Sequence, residues 1–276
     1  MKIIISEGKP PWQVKEEYRK VNRSKEDILI VGTGSETSEV RFMYPDFIPY
    51  IYDGKDSLLY KKVVDNDLTF KIGSLELEYI REDTNSAWRN CRSVEVALGG
   101  WFARKFNNDI TEVGDVCWQY SVFNNWIVID PGAGYPEAIR KSVFDINFDG
   151  KNFLSLSTFE HIGESSYNSG KEELHLAIDA LEKIKRESTN YLITFPIGAN
   201  YPLQDYVMSS SLPFTIMRRR SWRGETNNWT EDCSSENFYL PYFHFEYCCD
   251  YFGCGAVIVV ITNQSEIVGR NPSLIR

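Results

Sequence analysis

No stretch of this sequence reaches the roughly 18 consecutive apolar residues of a bilayer-crossing helix, so none is expected. Positive charge is also scarce. Thirty Lys and Arg stand against 39 Asp and Glu, a formal charge of −9. Charge-driven binding to nucleic acid or an anionic membrane needs a basic face, so neither partner is expected. The amino-terminal run Met1-Lys2-Ile3-Ile4-Ile5-Ser6-Glu7 is too short for a signal peptide, and a cytoplasmic chain is expected. The six cysteines, at 91, 117, 233, 248, 249 and 254, fit no zinc spacing. Cys248-Cys249 with Cys254 is open to a metal-ligand reading, beside that of reduced thiols packed among aromatics. No internal repeat or low-complexity tract stands out.

What is present is an ordinary globular balance, 42% hydrophobic and 25% charged, with 14% aromatic residues that suit aromatic-lined pockets. At 276 residues, the chain fits one large domain, or one domain plus an extension. Residues 1–86 read as a β-rich N-terminal extension: short strands at Lys2–Ser6, Asp27–Val31 and Phe47–Tyr52, a polar helix over Trp12–Arg23, and a hairpin over Leu68–Ile80 turning at Gly73-Ser74. Val31-Gly32-Thr33-Gly34-Ser35, with Asp53 some way on, resembles the opening of a dinucleotide site. Such a site needs a helix after its glycines, whereas Glu36–Asp46 contains Pro45 and no helical stripe, so a tight turn is expected.

Pattern and composition change near Ala87, and residues 87–276 read as a second domain. Val94, Ala97, Leu98, Trp101 and Phe102 recur at helical spacing within Arg92–Phe106. A short strand and turn follow at Asp109–Val116, strands at Trp126–Ile129 and Lys141–Phe144, and within Asn152–Gly163 a buried strand, with Phe153, Leu154 and Leu156 as its core, that stops in a polar turn. A helix over Glu172–Arg186 carries one apolar face of Leu174, Ala177, Ile178, Leu181 and Ile184. Tyr191–Phe195, Phe214–Met217 and Ala256–Ile261 complete the strands, with a polar, aromatic insertion before the last. Alternating strands and helices of this kind predict an α/β fold with a mostly parallel sheet.

Acidic side chains close successive strands: Glu112 with Gly114, then Asp130, then Asp145. The strand through Leu156 runs into Ser157, Thr158, Glu160 and His161. In open parallel α/β sheets the carboxyl edge is where ligands bind, and a carboxylate after the second strand can accept two hydrogen bonds from a ribose.

Glu-Val-Gly at 112, Val-Ile-Asp-Pro at 128, Phe-Asp-Ile at 144, Leu-Ser-Leu-Ser-Thr-Phe-Glu-His-Ile-Gly at 154 and Ile-Thr-Phe-Pro-Ile-Gly at 193, in that order, resemble the class I S-adenosylmethionine-dependent methyltransferases. The closest likeness is to methyltransferase-like proteins associated with surface-glycan or phage gene sets, and it spans about residues 90–262. The resemblance implies a Rossmann-like methyltransferase fold with a seven-stranded sheet, and S-adenosylmethionine as cofactor. Glu112, Gly114, Asp130, Asp145, Ile146, Ser157 and Thr158 would bind that cofactor, with His161 and Glu160 as catalytic residues. Phe214–Met217 and Ala256–Ile261 would be the closing antiparallel pair. Only the first of the family's loop glycines is kept; Val116 and Trp118 stand where the others would be, and Asp115 and Trp118 are placed to repel or crowd a cofactor.

The expected function is methyl transfer to a small polar or sugar-like acceptor, with His161 as base if the acceptor is a hydroxyl. Trp222 and Trp229 are candidate sugar-stacking residues, and Arg218-Arg219-Arg220 with Arg223 reads as an anion clamp or a solvated strand edge. A catalytically silent relative and a protein using a nicotinamide or sugar nucleotide at the same edge are the alternatives. His161, Glu160, Asp130 and Asp145 also have plainer readings as turn or cap residues. His175 reads as a surface residue and His244 as a packing one.

Overall fold

A computed structural model describes residues 2–5, 28–31, 67–82, 84, 87, 90–164, 171–219, 227–232 and 257–267. The readings at Trp12–Arg23, Gly32–Ser35, Phe47–Tyr52, Asp53, Trp222, His244 and the Cys248 cluster lie outside these residues. The chain forms two compact units, Met1–Leu58 with Asp250–Gly253, and Leu59–Cys249 with Cys254–Arg276. In the first, β1 (Lys2–Ile5) and β2 (Ile28–Val31) pair in parallel.

The second unit is mixed α/β. Its described elements are the hairpin β3 (Thr69–Ile72) and β4 (Leu75–Glu78), helix α1 (Arg92–Lys105), β5 (Thr111–Val113), β6 (Ile127–Ile129), β7 (Asn152–Leu156), α2 (Leu176–Glu187), β8 (Asn190–Pro196), α3 (Tyr201–Ser209), β9 (Phe214–Arg219), β10 (Trp229–Asp232) and β11 (Val257–Thr262). Seven strands make one sheet in the order β10-β9-β11-β8-β7-β5-β6. β6, β5, β7 and β8 are joined by three parallel pairings; β8–β11, β11–β9 and β9–β10 are antiparallel. The sheet is therefore evenly mixed rather than mostly parallel.

The difference has two sources. The expected strand at Lys141–Phe144 does not form. Ser142 caps a 3-10 turn at Val143–Asp145 by accepting from the Phe144 N–H, and only Ile139 bridges to Ile129. The seventh strand is instead β10, inside the segment read as a polar insertion. The hairpin β3–β4 also departs from the expected organisation. It lies in the unit that begins at Leu59, and its Phe70, Ile72 and Leu77 join that unit's core.

Period-two alternation divides the strands between two cores. Phe153, Ile193, Phe195, Val257, Val259 and Ile261 face α2 and α3, where Ala177, Leu181, Ile184, Leu203 and Val207 are buried. Leu154, Leu156, Leu192, Met217, Ile258 and Val260 face α1 and the hairpin. A sheet covered on both faces leaves its strand ends as the place where backbone groups and polar side chains can meet a ligand.

Candidate functional site

The carboxyl ends of β5, β6 and β7 lie side by side because β5 pairs with both neighbours. Glu112, on β5, is fully buried. Its Oε1 accepts the Cys117 N–H at 2.9 Å, while its Oε2 is buried with no hydrogen-bond partner. Burial pushes its carboxyl up from 4.5 to about 8; the Cys117 N–H pulls the other way and the nearby Asp115 adds to the rise. Glu112 is thus mainly a neutral acid at neutral pH.

Gly114 follows at φ +93°, and its N–H donates to the Ile129 carbonyl at 3.0 Å, prolonging the β5–β6 ladder. A Cβ there would lie 2.1 Å from the Thr158 Oγ1. The glycine thus makes room for the turn after β7. Beyond it the loops after β5 and β6 are tied together. Asp115 Oδ2 accepts the Gly134 N–H at 2.5 Å, and Trp118 stacks on Tyr135 with ring centroids 5.6 Å apart. Phe123 meets the same tyrosine edge-on at 5.5 Å.

Asp130, at the end of β6, is partly buried. Its Oδ1 accepts the Gly132 N–H at 2.7 Å. Burial raises its carboxyl above the usual range, the Gly132 N–H opposes that, and the charge of Asp115 adds to it. Asp145 is not brought to this rim by a strand. It closes the 3-10 turn as an exposed residue, with its N–H on the Ser142 carbonyl at 3.0 Å, and Ile146 packs at the margin of the α2-side core.

At the end of β7, Ser157 has φ +40° and donates its N–H to the Thr194 carbonyl at 2.9 Å. Thr158 donates its Oγ1 to the Leu156 carbonyl at 3.2 Å. Phe159–His161 form one 3-10 turn, in which Glu160 is buried and His161 half-exposed. His161 Nδ1 is 2.9 Å from Glu164 Oε2, and its Nε2 is 3.8 Å from Glu160 Oε1. Asn200, which caps α3 by accepting the Leu203 N–H at 3.0 Å, reaches the Glu160 carbonyl at 3.3 Å.

Sequence reasoning missed the polar centre behind this turn. Glu95, one turn into α1, is fully buried and joins Arg92, Cys91, Ser157 and Thr194. The available signal was an acid between Val94 and Val96 on a helix otherwise buried along this stretch. Helix α3 was missed as well, although Asn200 before Tyr201-Pro202 is a cap-then-proline start.

Of the remaining candidates, His175 is exposed at the start of α2, and Trp229 is not available for stacking on a sugar. It is buried on β10, with its Nε1–H on Asn227 at 2.9 Å. Arg218 and Arg219 lie on β9, where Arg219 is buried. Among the described residues, no group of three or more His, Cys, Asp or Glu is gathered to hold a metal, and no helix is long and apolar enough to cross a membrane. No family model, no curated protein and no solved structure matches this chain.

Proposed function

We propose that this chain is a methyltransferase of Rossmann-like fold that takes S-adenosylmethionine at the β5–β6–β7 rim and acts on a small polar or sugar-like acceptor. The observation that carries this is the sheet order. Starting from the bridge at Ile139, it runs β6, β5, β7, β8, then the antiparallel β11 wedged between β8 and β9. That is the closing antiparallel pair which the sequence resemblance implies. Two features of the rim fit the cofactor. Glu112, on β5, keeps a buried oxygen without a partner, and Asp130 ends the next strand, partly exposed.

The cofactor would supply an activated methyl group on a sulfonium, and the acceptor's lone pair would form the new bond as the carbon–sulfur bond breaks. The chain's own share is positioning and proton transfer. Asp130 would accept from the ribose hydroxyls. Glu112, kept neutral by burial, can donate from Oε2. His161 takes the acceptor's proton on Nε2, while Nδ1–H is held by Glu164 and the ring is thereby oriented.

A second reading, a catalytically silent binding or structural module, is favoured by the closure of the same rim. Thr158 fills the space over Gly114, Asp115 is bound to Gly134, and Trp118 lies on Tyr135. Calorimetry separates the two. Methyl transfer predicts micromolar binding of S-adenosylhomocysteine that disappears in Asp130→Ala. Absence of binding by any adenine nucleotide supports the silent module. Binding of NADH without S-adenosylhomocysteine would overturn both.

A further inference from the structure

We propose that Glu95 is a positioning residue for the carboxyl edge of β7: its buried carboxylate locks the Ser157–Thr158 turn that carries Glu160 and His161. As a statement about catalysis this rests on the proposed methyl-transfer site; as a statement about the turn it does not.

Glu95 is fully buried, and a carboxylate in that position must be met by donors. Four donors surround it. Ser157 Oγ and Thr194 Oγ1 donate to Oε1 at 2.6 and 2.7 Å. Arg92 Nη1 and Cys91 Sγ donate to Oε2, each at 3.2 Å. Arg92 Nη1 also donates to the Leu156 carbonyl at 3.2 Å. One acid therefore ties α1 to β8 and to the turn that follows β7. Its two shortest bonds go to residues that are themselves joined, Ser157 N–H to the Thr194 carbonyl.

Ser157 needs such a clamp because it is a non-glycine residue at φ +40°. Its conformation turns the chain so that Thr158 lies against Gly114 and the Phe159–His161 turn begins. Glu95 reaches the turn directly through Ser157, beside its bonds to Thr194 and Arg92. A mere anchor of α1 on the sheet would have no reason to spend its Oε1 on the residue with the unusual backbone.

The test is hydrogen exchange across the full chain, read peptide by peptide, for wild type, Ser157→Ala, Glu95→Gln and Glu95→Ala. Ser157→Ala removes one hydroxyl and nothing else. It should raise exchange at Thr158–Ile162 about tenfold while α1 and β8 stay protected. Glu95→Ala should do at least the same. Glu95→Gln keeps an acceptor for Ser157 and Thr194 and should restore protection of the turn. If Glu95→Ala does not fold, the other two variants decide. Wild-type exchange at Thr158–Ile162 in Ser157→Ala, or in that same variant a uniform rise over α1, β8 and the turn, overturns the proposal. S-adenosylhomocysteine calorimetry on the same samples keeps the two ideas apart. A loosened turn in a protein whose wild type binds no S-adenosylhomocysteine upholds the clamp and sinks the cofactor site.

Discussion

Thr158 occupies the space that a side chain on Gly114 would need, with its Oγ1 2.1 Å from the position of the missing Cβ. The ends of β5 and β7 are thus fitted to each other, and the fit rests on two requirements at one residue: a left-handed φ and no side chain. Gly114→Ala violates both. It should lose roughly 2–4 kcal/mol of stability, the sum of backbone strain and overpacking. Adding Thr158→Gly should recover the overpacking part only, because φ stays at +93°. Urea unfolding of the three proteins checks this; full recovery in the double variant would mean that the backbone carries no strain.

Glu112 gives the rim a pH dependence with a definite sign. Its folded value, about 8, lies above its ordinary 4.5. The unfolded chain therefore sheds this proton first, and the folded state is favoured less as pH rises between those two values. The loss approaches at most about 1.4 kcal/mol per pH unit and stops above the folded value. Glu112→Gln should lack this slope. Thermal unfolding of both proteins from pH 5 to 9 should show wild type falling relative to the variant; parallel profiles would mean that Glu112 is ionised in the folded protein.

Cys91 and Cys117 are both buried thiols outside any disulfide, and burial together with the neighbouring Glu112 pushes the Cys117 thiol well above its ordinary value. Since the thiolate is the reactive form, neither should be alkylated by iodoacetamide at neutral pH while the protein is folded. Peptide mass mapping before and after urea should show both modified only in urea. Rapid labelling of Cys117 in the native protein would contradict its burial beside Glu112.

Much of the frame was legible because it follows from side-chain period. Ala256–Ile261, nearly all β-branched, read as a strand and forms one over Val257–Thr262, and the one-sided helix α2 fell close to its expected place. The hairpin turned at Gly73 as its sequence implies. What could not be read depended on contacts distant in sequence. Trp229–Asp232 carries no strong strand signal; it becomes an edge strand because β9 offers a free side. Asp145 looked like a strand end, but a local bond to Ser142 won over pairing. The candidate site divides in the same way. Glu112, Asp130 and the Ser157–His161 run stand at neighbouring strand ends as expected, whereas the role of Gly114 is set by Thr158, and that of Ser157 by a helical acid 62 residues earlier.

The last strand of the large sheet has a consequence for how the molecule comes into being. β11 is paired with β8 on one side and β9 on the other, and both precede it in the chain. Until residues 257–262 leave the ribosome, neither β8 nor β9 can have the partner that lies between them in the finished sheet. Such a keystone makes late synthesis the hazardous interval, when a chaperone or a slow exit would matter most.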